Sequence, residues 1–179
     1  MQYIREQAMA RVNVRAMTQF LALAGVATIL PFYFHVQWIT GPVINAIFIL
    51  TLFLVGVRSA LVICLVPSLM ALSGGLLPAV LAPVAPFIMI GNVILVLTID
   101  YASRHQITSN NAKNYLIGVA VGAGLKFVFL YFSIDFIARL LIKQELAVKV
   151  AQMMSWPQFY TAVIGGMIAW AFLKWLKRI

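Results

Sequence analysis

Six apolar runs, most of them nearly free of charge, fill this chain from about residue 16 to residue 173. Runs of that length and purity read as helices that cross a lipid bilayer. Soluble domains carry roughly 25% charged residues. Here the share is 9%, against 64% hydrophobic. A chain of 179 residues cannot hide so much apolar surface in a water-soluble core of its own. The expected fold is all-α: a polytopic integral membrane protein, a bundle of about six transmembrane helices in a single domain.

The expected spans are 16–34, 42–57, 59–72, 87–102, 114–136 and 158–173. Pro31 falls near the end of the first, where a lost backbone bond is tolerated. His35–Gly41 reads as a short polar turn, and Pro42 suits the first turn of the second span. The third span is short and carries Pro67, so a tilted or kinked helix is expected there. Ser73–Pro86 is apolar yet rich in Gly and Pro, which suggests irregular backbone at membrane depth, covered by protein. Ser103–Lys113 is the most polar stretch and reads as a loop. Ile137–Trp156 mixes charge with apolar residues and reads as an amphipathic segment lying on the surface. The polar leader, with Arg5, Arg11 and Arg15, suggests an interfacial helix rather than a cleavable signal.

The net charge is +9, from 13 Lys+Arg against 4 Asp+Glu. In a soluble protein this would point to nucleic acid. Here the bases sit at the ends of apolar runs, so membrane topology accounts for them and no nucleic-acid partner is expected. An even number of spans puts both termini on one side. Arg5, Arg11, Arg15, Arg58, Arg104, Lys113, Lys174, Lys177 and Arg178 then share that side. Only Arg139, Lys143 and Lys149 fall opposite. The positive-inside rule makes the richer side, and both termini, cytoplasmic in a multi-pass protein of the cell membrane.

Lys126 is the residue with the most to say about chemistry. It lies about eleven residues into the fifth span, roughly 16 Å deep at the helical rise. A cation at that depth costs about 2.5–3.5 kcal/mol on insertion scales. Something must compensate it: helix carbonyls, the Asn92 or Gln158 side chains, water, or a ligand. Gly118, Gly122, Lys126, Phe129 and Ser133 share one stripe of the helix, so close packing at the glycines gives way to a polar floor. Asn45 and Asn92 are buried amides on other spans. Each can orient a ligand or bond a neighbouring helix. His35, Gln37, Trp38 and Thr40 crowd the first outer loop as a lid or an aromatic belt. Trp156, Gln158, Tyr160 and Thr161 open the sixth span on the same side. Gln158, Ala162, Gly165 and Ala169 form a small-residue stripe suited to close packing, with Gln158 at its open end.

Little here supports catalysis. His35 and His105 fall on opposite sides, so they cannot share a haem. No Cys/His cluster has zinc spacing, and the single Cys64 reads as a packing residue. There is no phosphate-binding Gly-rich loop. Asp100 and Asp135 lie at opposite ends of their spans. No enzyme activity, cofactor or metal is expected, and no catalytic residue is assigned.

Thr40-Gly41-Pro42-Val43-Ile44-Asn45-Ala46, Ala85-Pro86-Phe87 with Gly91-Asn92, Lys126-Phe127 with Tyr131-Phe132-Ser133, and Ser155-Trp156-Pro157-Gln158 with Gly165-Gly166 carry a resemblance across nearly the whole chain. Together they resemble S components of energy-coupling factor (ECF) transporters, in a branch without an assigned substrate. That resemblance implies a six-helix subunit that captures a vitamin-like or other small micronutrient from outside. It implies as partners a transmembrane coupling subunit and two ATPase subunits within the lipid bilayer. It implicates His35, Gln37, Trp38, Asn92, Lys126, Gln158 and Tyr160 in substrate binding, and the buried amide Asn45 joins them as a candidate. It also implies docking through small residues on the first helix: Ala22, Ala24, Gly25 and Thr28. The family's Ala-x-x-x-Ala pattern is replaced here by Ala24-x-x-x-Thr28, which leaves room for a different partner. The alternative from another class is a small accessory subunit of a larger membrane complex, without a ligand of its own. Such a subunit would pair Lys126 with a carboxylate.

Overall fold

A computed structural model describes residues 14–34, 36–75, 79–105, 107–140 and 144–178. They form an all-α bundle, with no strand among the described residues. In chain order the helices are α1 (Val14–Tyr33), α2 (Gln37–Leu54), α3 (Val57–Ser73), a 3-10 turn (Ala79–Val84), α4 (Ala85–Arg104), α5 (Asn111–Leu140), α6 (Gln144–Met154) and α7 (Trp156–Trp175). Three segments are long and apolar enough to cross a membrane: Val14–Tyr33, Ala82–Arg104 and Asn111–Arg139. Six were expected. The apolar parts of α2 and α3 are shorter than a full crossing. α7 is long enough, but it opens on Trp156, Pro157, Gln158 and Tyr160, which dilute its hydropathy.

Several boundaries differ from the sequence reading. The expected polar turn over His35–Gly41 is helical from Gln37, and His35 lies outside the described residues. Pro42 therefore sits in the second turn of α2, not the first. A proline there removes one bond to the carbonyl of Trp38 and leaves the rest of the helix intact. Polar residues mimicked a loop because this end of α2 projects beyond the apolar zone. Ile137–Trp156 divides differently as well: α5 continues to Leu140 before α6 begins. α6 does not lie free on the surface. Its Val150 and Met154 are fully buried against Val84, Leu130 and Ile137. The leader through Asn13 lies outside the described residues.

Local signals explain the turns. Gly56 joins α2 to α3 at φ +124°, a conformation that favours glycine. Asn110 caps α5, its Oδ1 accepting from the Ala112 and Lys113 amides at 2.9 and 3.2 Å. Asn114 closes the same loop by accepting from the Thr108 amide and hydroxyl.

The tightest packing joins α4 to α5 and α2 to α7. Glycine makes both possible. A Cβ on Gly118 would stand 3.1 Å from Ile99 Cα, and one on Gly122 would stand 3.1 Å from Leu95 O. A Cβ on Gly165 would stand 2.6 Å from Pro42 O and 2.7 Å from Asn45 Cβ. Tyr115, fully buried, ties α5 to α7 by donating its hydroxyl to Gly166 O at 2.6 Å. α1 is peripheral: it packs on α2 and α3, and Ala27 is its one buried residue.

Successive long helices alternate in direction, which gives the bundle two unlike ends. Arg15, Leu54, Lys177 and Arg178 line a shared surface hollow at one end. Arg58, Arg104, Lys113 and Lys174 occupy the same end by the direction of their helices. The opposite end gathers the end of α1, the starts of α2, α4 and α7, the end of α3, and α6.

These contacts generate a packing test. Gly165→Ala drives a methyl into backbone atoms of α2 and should cost about 1–3 kcal/mol, as overpacking does. At Gly25 a Cβ would meet nothing within 4 Å, so Ala should be tolerated there and gain about 0.4–1 kcal/mol from a stiffer unfolded chain. Thermal unfolding of the two variants in detergent should move in opposite directions. Equal behaviour would contradict the close α2–α7 approach.

Candidate functional site: a buried lysine in a cavity

At mid-depth in the bundle, Lys126 is 1% exposed and lies among three neighbouring helices. Its ammonium donates to Asn45 Oδ1 at 2.9 Å and to Asn92 Oδ1 at 2.8 Å. Lysine only donates, so each amide must turn its oxygen toward the cation. The amide nitrogens then fix the rest of the network. Asn45 Nδ2 donates to Gly41 O at 2.9 Å and to Thr161 Oγ1 at 3.5 Å. Thr161 in turn donates to Gln158 O at 3.3 Å. Asn92 Nδ2 donates to Cys64 O at 3.4 Å. One cation thereby links α5 to α2 and α7 on one side, and to α4 and α3 on the other.

The network forms part of the wall of a cavity of about 200 Å³. Lys126, Asn45, Asn92, Gln158 and Thr161 all line it. So do Pro31 from α1, Pro67, Ser68 and Ala71 from α3, Ile88 from α4 and Met153 from α6. Every helix of the bundle contributes. Ile44 and Phe48 of α2 supply apolar wall. The cavity belongs to the bundle end opposite the basic cluster.

Charge at the site is unbalanced. Among the described residues the one ion pair is Arg104–Asp100 at 2.8 Å, an exposed pair at the basic end. Among the described residues no acidic side chain lines the cavity. Two charge-assisted bonds of about 1.5–3 kcal/mol each are enough to offset the cost of inserting a lysine. They leave one of its three N–H donors without a protein acceptor among the described residues. No group of three or more His, Cys, Asp or Glu able to hold a metal occurs among the described residues.

The residues singled out in the sequence separate clearly. Asn45, Asn92, Lys126 and Gln158 meet at the cavity. Gln158 does not serve as a partner for Lys126; its Nε2 donates to Met153 O at 3.1 Å and pins the α6–α7 turn. Trp38 and Tyr160 are about half exposed, with ring centroids 6.5 Å apart, outside the cavity wall. They join Trp156 and Phe127 in an outward aromatic patch, where Trp156 and Phe127 stack at 4.9 Å. His35 and the side chain of Gln37 lie outside the described residues, as does the side chain of Asp135. On α1, Ala24 packs toward the core and Thr28 donates to Ala24 O at 2.7 Å. Ala22 is exposed, and Gly25 has open space beside it. The suggested docking residues therefore divide between two faces of the helix.

Sequence reasoning passes over the contribution of α3. Pro67 and Ser68 carry the available signal: a proline in an apolar helix followed at once by a hydroxyl. Thr161, one turn beyond Gln158, reads in the sequence as part of the helix start, and nothing local marks it as a partner for Asn45.

The network predicts a characteristic pattern of stabilities. Lys126→Met leaves the Asn45 and Asn92 oxygens buried without a donor, and should cost about 1–3 kcal/mol. Replacing all three residues, as Lys126→Met with Asn45→Leu and Asn92→Leu, should recover much of that loss, because no polar group is then stranded. A double-mutant cycle on thermal unfolding reads the coupling directly. Strict additivity would mean that the three side chains act independently.

No family model, no curated protein and no solved structure matches this chain.

Proposed function

We propose that this chain is a membrane protein that binds a small solute and serves as the capture subunit of an importer. The carrying observation is the cavity around Lys126, walled by all the helices and holding a cation that no carboxylate among the described residues neutralises. A buried ionisable group in a membrane bundle is a functional site by default. The cavity belongs to the end opposite the basic cluster. By the positive-inside rule the basic end faces the cytoplasm, so the cavity end faces outward, as uptake requires.

The more specific reading is an S component of an ECF-type importer, with six passes and both termini cytoplasmic. Such a subunit takes its energy from ATPases reached through a transmembrane coupling subunit. The exposed side of α1, with Ala22, Val26 and Ile29, supplies an apolar face for that partner. A second reading, the accessory subunit without a ligand, draws support from the two amides that hold Lys126 by themselves.

Native mass spectrometry of the purified chain separates these readings. The importer reading expects a small molecule retained by the wild type and lost on Lys126→Met. A protein that carries nothing, and whose parent complex transports nothing, is an accessory subunit. In liposomes, uptake should require the coupling subunit, the ATPases and ATP. Uptake by this chain alone on an ion gradient would make it a secondary transporter.

Orientation has its own measurement. A cysteine placed at Ser109, in the loop at the basic end, should resist a membrane-impermeant thiol reagent in intact cells. Cys64 is buried and adds little background. Ready labelling would reverse the bundle and turn the cavity toward the cytoplasm.

A further inference from the structure

We infer that the solute is a compact organic monoanion, a small monocarboxylate, held through the third N–H of Lys126. This inference rests on the proposed binding role of the same cavity. Three observations carry it.

The first is charge. Among the described residues Lys126 is the one cation on the cavity wall, and no acid accompanies it there. Its two protein partners are neutral amides whose oxygens are already engaged with it. They solvate the ammonium but cancel none of its charge. In a low-dielectric interior, one unit of negative charge completes the site, and a second would be stranded. A cationic solute would meet like charge.

The second is the available hydrogen-bonding chemistry. Of the three ammonium donors, two are used and one remains. A carboxylate oxygen accepts that bond as a charge-assisted contact, roughly twice as strong as one to a neutral amide. The amides are not free to switch roles, because their nitrogens are committed to Gly41 O, Thr161 Oγ1 and Cys64 O.

The third is shape and lining. Pro31, Ile44, Phe48, Pro67 and Ile88 give the cavity mostly apolar walls. They suit a hydrocarbon body, and the other polar side chains of the described wall, Thr40, Ser68, Gln158 and Thr161, are neutral. A volume of about 200 Å³ suits a compact solute.

The test uses the full chain in lipid nanodiscs and four five-carbon probes: pentanoate, pentanamide, pentylamine and glutarate. Affinities are measured by calorimetry on protein freed of any retained solute. Pentanoate should bind at least tenfold tighter than pentanamide, and pentylamine should not bind. Glutarate, a dianion, should be at least tenfold weaker than pentanoate. Lys126→Met should abolish the preference for acid over amide. The wild-type comparison stands alone if that variant does not fold. Pentanamide binding as tightly as pentanoate, or glutarate or pentylamine binding best, overturns the monoanion assignment. In that case a cavity that still binds the winning probe keeps its role as a solute site. Binding of none of the four also overturns the assignment, and a small molecule found by native mass spectrometry would then show that the site holds a solute of another class.

Discussion

A single buried ammonium organises this bundle. Lys126 is 1% exposed, and no acid among the described residues stands near enough to pair with it. Its stabilisation falls to two neutral amides, Asn45 and Asn92. An amide oxygen carries only part of a charge, so two are needed where one carboxylate would serve. That requirement fixes the rotation of α2 and α4 relative to α5. The commitments of the amide nitrogens extend the constraint to α7 through Thr161 and to α3 through Cys64 O.

Close packing and the polar network are not separate devices. Gly165 lets α7 approach α2 at Asn45 itself, where a side chain would collide with Asn45 Cβ and Pro42 O. The same approach brings Thr161 within reach of the Asn45 amide. Gly118 and Gly122 do the corresponding work between α5 and α4, below the level of Lys126. Without an aqueous hydrophobic effect between helices, such contacts and interhelical hydrogen bonds are what hold a bundle together in lipid. The cavity survives beside these tight seams because Pro31 and Pro67, on the looser helices α1 and α3, line its other side.

The two ends are chemically opposed. One collects basic side chains, among them Lys174 over the ring of Trp170 at 4.9 Å. The other collects prolines, the α6 cap and the aromatic patch of Trp38, Trp156 and Tyr160. Trp and Tyr at such a level suit a membrane interface, with apolar ring faces and polar tips. They do not line the cavity.

The sequence by itself determined the helical class, the separation of basic residues to one end, the glycine seams and the importance of Lys126. All of these are local: composition, a period of 3.6 residues, and depth counted along one helix fix them. It did not determine where α2 begins, because a helix that projects past the apolar zone carries the same polar residues as a loop. Nor did it determine which buried side chains meet. Lys126 reaches partners 81 and 34 residues away, and Asn45 reaches Thr161 across 116. Those meetings depend on the rotation of each helix about its own axis and on the crossing points that the glycines permit. Gln158 and Tyr160 are two residues, about 200°, apart on α7, so its rotation turns one toward the cavity and the other away from it. Only the packed tertiary structure sets that rotation.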